Sequence, residues 1–243
     1  MTSATPQRTA DLTRRWMEHG TSLFLSAVER IDNDGLDAPS LLPGWSRRQL
    51  IAHVAANADA LGRLVRWAST DEETPMYSSP EQRTAEIDAG ALLPAEKLRT
   101  WLTTSTQQLA SGLDGLSEDA WSHEVVTAQG RTVPATEIPW MRSREVMVHA
   151  VDLGSGVTFA ELPDDFIDCL VSDVVTKRST GQVGPAVLVR ATDTGSSWAI
   201  AGAGDPVIVQ GPLPDVASWL TGRPDGSVQT PHGIPVPELP PWL

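Results

Sequence analysis

The chain has only one cysteine among its 243 residues, Cys169, and this scarcity excludes several kinds of site. A single cysteine cannot form an intrachain disulfide, a CxxC redox pair or a cysteine-rich zinc ribbon. A chain without disulfides suits a reducing compartment, and nothing near the N-terminus resembles a secretion signal. We therefore expect a cytoplasmic protein.

Positive charge and long apolar runs are also scarce. The chain has 18 basic against 31 acidic residues, a formal net charge of -13. Because such a chain repels phosphate backbones, we expect no nucleic-acid partner. No apolar run approaches the ~20 residues that a helix needs to cross a bilayer, so we also expect no membrane partner.

The distribution of proline divides the chain into two parts. Eleven of the nineteen prolines lie beyond Ala160, a density at which long helices do not form. Before that point, apolar residues recur at helical spacing, which predicts a four-helix bundle. The predicted helical segments are residues 6–31, 47–68, 80–113 (interrupted at Gly90 and Pro94) and 136–153, with a loop over 114–135.

The later part of the chain is typical of a small α+β unit. Short β-branched runs predict three strands, and two further helical segments flank them. The predicted strands are 186–190, 197–201 and 207–210, and the predicted helices are 163–177 and 213–220. The fold class is therefore two-domain, a helical bundle in residues 1–155 followed by a small α+β domain in residues 156–243.

Two potential metal ligands lie on the last helix of the predicted bundle. Glu145 and His149 are four residues apart, so both side chains lie on one helical face, with Asp152 on the same side. On the second helix, His53 sits among apolar positions and should face the bundle interior or its edge. Two histidines and one carboxylate would leave a coordination position open, as in catalytic zinc sites.

Each of these features also has an ordinary explanation. A glutamate and a histidine four residues apart commonly form a surface ion pair, and a histidine on an apolar face is commonly a hydrogen-bonded core residue. The sequence does not show whether the two helices meet. The same ligands also suit iron or nickel. The chain contains neither a G-x-S-x-G elbow nor a complete dinucleotide-binding glycine loop.

Several stretches resemble the mycothiol-dependent maleylpyruvate isomerases, cytoplasmic enzymes of actinobacteria whose N-terminal half is a DinB-like four-helix bundle. The wider thiol-dependent family has a His…Glu-x-x-x-His-x-x-Asp-Leu pattern, which this chain carries between residues 53 and 153. The Glu-Thr-Pro-Met-Tyr stretch at 73–77 and the Ala-Gln-Gly-Arg-Thr-Val-Pro stretch at 128–134 are similar to the isomerases themselves.

This resemblance implies two cofactors, zinc and mycothiol. Zinc would be held by His53, Glu145 and His149, the set that the spacing also proposes. We place Asp152 outside the coordination sphere, where it would orient a ligand or a neighbouring donor.

The resemblance also implies that two arginines bind the substrate and act in catalysis. Arg83 follows the Pro-Met-Tyr stretch, and Arg223 lies in the C-terminal part. From the residues alone, Arg83 would be a solvated helix charge and Arg223 a helix cap favoured by the macrodipole. The resemblance implies a small-molecule dicarboxylate as the substrate, and guanidinium groups pair with carboxylates in bidentate fashion.

The implied reaction is the cis–trans isomerisation of maleylpyruvate to fumarylpyruvate. A zinc-activated thiolate would add reversibly to the cis double bond, which could then rotate before the thiolate leaves. One alternative is a mycothiol S-transferase, which would use an identical metal site. A non-catalytic zinc-binding module and a purely structural bundle rank lower. The sequence does not reveal the oligomeric state; with no long apolar edge or heptad run, we expect a monomer.

Overall fold

The structure is a computed structural model that describes residues 8–181, 184–223, 227–231, 233–240 and 242. The α-helices are α1 (Ala10–Glu29), α2 (Arg47–Thr70), α3 (Pro80–Ala91), α4 (Ala95–Asp114), α5 (Ile138–Asp152), α6 (Asp164–Gly181) and α7 (Leu213–Leu220). The strands are β1 (Glu124–Val126), β2 (Thr132–Pro134), β3 (Pro185–Ala191), β4 (Ser197–Ile200) and β5 (Ala203–Gly211). The chain forms two compact units: one is Thr9–Val157, and the other comprises the described residues from Thr158 on, with Arg8.

Helix α2 is the central helix of the first unit, where it contacts α3, α4 and α5. Its start is fixed by a capping box. The Ser46 hydroxyl accepts a hydrogen bond from the Gln49 backbone N–H at 3.2 Å, and the Gln49 side chain accepts from the Ser46 N–H at 3.0 Å. Because α2 is surrounded by helices, residues Leu50 to Ala58 are all buried.

Helix α1 packs closely against α5 because Gly20 has no side chain. A Cβ atom at Gly20 would lie 2.6 Å from Met147 Cγ and 2.7 Å from Val146 Cγ2, far inside normal contact distance. The close approach holds α5, which carries Glu145 and His149, against the rest of the bundle.

The helices of the first unit largely confirm the predicted pattern. The first helix begins at Ala10, and residue 6, where we predicted its start, lies outside the described residues. The interruption predicted near Gly90 and Pro94 is confirmed, since α3 ends at Ala91 and Pro94 is the N-cap of α4. The predicted loop at 114–135 is wrong in part, because β1 and β2 form an antiparallel hairpin there.

The second unit contains a three-stranded sheet with the order β4-β3-β5. Strand β3 is antiparallel to β4 and parallel to β5, and α6 and α7 pack against the sheet. The predicted fold class, a helical bundle followed by a small α+β region, is confirmed. The assignment of separate domains to residues 1–155 and 156–243 stays a prediction. Within the described residues, no helix is long and apolar enough to cross a membrane.

Candidate metal centre

His53 on α2 and Glu145 and His149 on α5 form a cluster in the first unit. One ligand atom from each residue lies within 4.8 Å of the other two. His53 Nε2 is 2.9 Å from Glu145 Oε2, and His149 Nε2 is 3.4 Å from the same oxygen. The centroids of the two imidazole rings are 5.0 Å apart, at an interplanar angle of 81°. Helices α2 and α5 therefore meet at the three side chains that the sequence pattern selects.

The donor types and their spacing fit a zinc ion. Tetrahedral zinc with bonds of about 2.0–2.2 Å to nitrogen and oxygen places its ligand atoms about 3.3–3.6 Å apart. The two observed separations from Glu145 Oε2, 2.9 and 3.4 Å, are close to that range. Among the described residues, the cluster supplies three ligands, so a tetrahedral ion would keep one position for an exogenous ligand. The side chain of Glu145 is 24% exposed, so this part of the cluster reaches solvent.

Asp152 contacts His149 on the side away from Glu145. The Asp152 side chain is fully buried, and its Oδ2 accepts a hydrogen bond from His149 Nδ1 at 2.8 Å. Because an ionised carboxylate only accepts, Nδ1 carries the proton and Nε2 is left to face Glu145. Carboxylates commonly orient ligating histidines in this way.

The three residues of the cluster have pKa values that are shifted in different directions. Burial lowers the pKa of His53, although the Glu145 carboxylate acts in the opposite direction. Burial also lowers the pKa of His149, but hydrogen bonds to Asp152 and Glu145 outweigh it and raise the pKa to about 9. Burial raises the pKa of Glu145, yet hydrogen bonds from His149 and His53 bring it well below its usual value. Without a metal at neutral pH, His149 is therefore protonated, His53 neutral and Glu145 ionised.

The structure places the two predicted arginines in different compact units. Arg83 belongs to the first unit, on α3, whose N-cap is Ser79, and its Nη2 lies 3.4 Å from His53 Nδ1. Arg223 follows α7 in the second unit, where its Nη1 donates to the carbonyl oxygen of Thr221 at 2.6 Å. Arg83 is thus brought to the cluster by a third helix.

Two side chains near the cluster are not among the predicted site residues. Arg142 is 1% exposed and lies on α5 one turn before Glu145. The sequence does indicate the position of Arg142. Residues 142, 145, 149 and 152 are separated by three or four residues, so they share one helical face. The Trp45 ring meets the His53 ring edge-on, with centroids 5.8 Å apart, and nothing in the sequence pattern indicates that contact.

Comparisons with known proteins agree with this architecture. The family model described as mycothiol maleylpyruvate isomerase N-terminal domain matches residues 17–154. The chain belongs to this family. A crystal structure of the mycothiol-dependent maleylpyruvate isomerase is 41% identical to the chain, covers 97% of this chain and 98% of that chain, and has a TM-score of 0.93. A histidine-to-alanine variant of a mycothiol-dependent maleylpyruvate isomerase is 40% identical over the same shares, also with a TM-score of 0.93.

The family membership identifies the chain as an enzyme. A more distant neighbour is YfiT from Bacillus subtilis, named as a probable metal-dependent hydrolase with an unusual four-helix bundle topology. It is 17% identical, covers 63% of this chain and 90% of that chain, and has a TM-score of 0.50, a likeness of fold alone. No curated protein matches the chain in sequence.

Proposed function

We propose that the chain is a mycothiol-dependent isomerase that converts maleylpyruvate to fumarylpyruvate. The observation that carries this proposal is the His53, Glu145 and His149 cluster in a chain that is 41% identical, over 97% of its length, to a mycothiol-dependent maleylpyruvate isomerase. A three-ligand cluster with a solvent-reaching side is typical of a catalytic rather than a structural zinc site.

A zinc ion held by the cluster would keep the mycothiol thiol ionised at neutral pH, which makes it a nucleophile able to add reversibly to the cis double bond. Two residues of the cluster, Glu145 and His53, have the ionisation states that metal binding requires. Glu145 is ionised, His53 is neutral, and Asp152 holds the proton of His149 on Nδ1, away from Glu145. Each residue thus has a role in retaining and orienting the metal.

Substrate binding needs local positive charge, because the substrate is a dianion and the chain has a net charge of -13. Arg83 supports this role, since its guanidinium lies beside His53 and can pair with a carboxylate in bidentate fashion. We propose the same role for Arg223, on the resemblance to the family. Both groups would also stabilise negative charge that develops on the substrate.

The test is maleylpyruvate turnover by the purified, zinc-loaded chain, with and without a catalytic amount of mycothiol. We expect turnover only with mycothiol, which should be recovered intact, and we expect His53→Ala to lose both zinc and activity. Absence of isomerisation by zinc-loaded protein would reject the proposal. Consumption of the thiol by test electrophiles, without isomerisation, would instead identify an S-transferase.

A further inference from the structure

Arg142 joins three helices of the bundle through one buried guanidinium group. Its Nη1 donates to the Val54 carbonyl oxygen at 2.7 Å and to Asn57 Oδ1 at 2.9 Å, both on α2. Its Nη2 donates to Thr106 Oγ1 on α4 at 3.2 Å. A single side chain of α5 is therefore bonded to α2 and α4 at the same time.

These bonds lie beside the candidate metal ligands in the chain. Val54 directly follows His53, and Asn57 is one helical turn further along α2. Arg142 itself is one turn before Glu145 on α5. Since a helical backbone is stiff over one turn, bonds from Arg142 to α2 fix the distance between the backbones that carry His53 and Glu145.

The burial of Arg142 is not explained by packing alone. Burial lowers the pKa of its guanidinium to about 10, and no ion pair to Arg142 is found among the described residues. Its Nε is also buried without a hydrogen-bond partner there. Taking a charged group out of water costs free energy that its hydrogen bonds repay only in part, so packing does not account for an arginine at this position.

We infer that Arg142 is a positioning residue that sets the separation between His53 and Glu145 for metal binding. The inference rests on the proposed metal centre. The positive charge of Arg142 alone would weaken metal binding, because a cation near Glu145 repels a bound metal ion. Removal of Arg142 therefore weakens metal binding if it positions the ligands, and strengthens metal binding if only its charge matters.

The experiment measures the Kd for Zn²⁺ by competition with a chromophoric chelator, together with the absorption spectrum of the Co²⁺-loaded protein. For Arg142→Met we expect the Zn²⁺ Kd to rise about 10- to 100-fold, as for other residues that orient ligands, with a changed Co²⁺ spectrum. The matched control is Arg99→Met on α4, which removes bonds to the Val28 and Ile31 carbonyl oxygens and should leave the Kd unchanged. A folded Arg142→Met protein with wild-type or tighter Zn²⁺ binding would overturn the inference.

A second pair of variants decides the question if Arg142→Met does not fold. Asn57→Ala removes one of the two acceptors on ligand-bearing α2, whereas Thr106→Val removes the acceptor on α4, which carries none of the three ligands. We expect weaker Zn²⁺ binding in Asn57→Ala only; equal Kd values for the two variants would contradict the inference. If the wild-type chain itself binds no Zn²⁺, the proposed metal centre is rejected instead.

Discussion

His149 lies between two carboxylates, which contact different nitrogens of its ring. Asp152 accepts from Nδ1, and Glu145 faces Nε2 at 3.4 Å. Together they raise the pKa of His149 to about 9 against the effect of burial. A metal ion that binds Nε2 would therefore displace a proton from this ring at neutral pH, while the Asp152 carboxylate would keep the ring oriented.

Replacing Asp152 with asparagine should weaken zinc binding. Asparagine has nearly the same shape but no charge to hold the Nδ1 proton, and such changes commonly cost about 10- to 100-fold in metal affinity. The measurement is a Zn²⁺ competition titration. The control is Asp59→Asn on α2, whose carboxylate accepts from Trp101 Nε1 at 2.8 Å; equal loss in both variants would show that Asp152 has no special role.

Replacing Arg83 with alanine should lower isomerase turnover while zinc content stays unchanged. Loss of one group that stabilises developing negative charge commonly costs about 100-fold or more in kcat. Arg66→Ala is the control, because Arg66 pairs with Glu72 and its side chain is 66% exposed. Wild-type turnover in the Arg83 variant would remove the arginine from the proposed site.

The ionisation of Tyr77 should be shifted to high pH. Burial raises its pKa to about 12, although the Arg83 guanidinium lowers it. Because Tyr77 is the only tyrosine, a rise in absorbance near 295 nm reports this group alone. We expect the ionisation near pH 12, with the associated loss of stability as pH rises from 10, the unfolded value, through 12. An ionisation near pH 10, with circular dichroism still native, would contradict the prediction.

Secondary structure was predictable wherever short-range chemistry determines it. Helix α2 begins at Arg47, the start predicted from the sequence, and Pro94 separates α3 from α4. The β1–β2 hairpin was missed because strands of three residues are too short to show alternation. Strand β5 is longer than predicted and contains Pro206, which is tolerated because β5 lies at the edge of the three-stranded sheet.

The candidate site was predictable only in part. The spacing of Glu145 and His149 on one helical face is a local property that the sequence shows. The approach of His53, the contact with Arg83 and the bonds of Arg142 depend on how α2, α3 and α5 pack, and no local pattern encodes that packing.

Two helical glycines should respond in opposite directions to alanine. In Gly20→Ala the new Cβ would press on Met147 and Val146 across the α1–α5 contact, and overpacking of this kind costs about 1–3 kcal/mol. Gly62 on α2 has open space around it, so Gly62→Ala should stabilise the protein by up to about 1 kcal/mol. Urea unfolding measures both free energies. Stabilisation in both variants would show that α1 and α5 separate easily.

All three proposed metal ligands belong to one compact unit, Thr9–Val157, whereas the only cysteine lies in the other. Cys169 is 2% exposed on α6, and burial raises the pKa of its thiol to about 11. The chain as a whole therefore presents almost no thiolate at neutral pH.

The native protein should not react with a chromogenic disulfide reagent at pH 8 over the time of an activity assay. After unfolding in guanidinium, the same reagent should report one thiol per chain, because Cys169 is the only cysteine. Rapid reaction of the native protein would mean that α6 opens readily and that the thiol is accessible.

Because Cys169 is buried, the native protein should contribute no signal to a thiol assay. Any sulfhydryl detected during turnover then belongs to the small-molecule thiol, even at enzyme concentrations close to those of the reactants. A single reaction mixture followed at two wavelengths would report substrate loss and thiol concentration together. The ratio of thiol consumed to substrate consumed would then distinguish an isomerase, which regenerates the thiol, from an S-transferase, which consumes one thiol for each product formed.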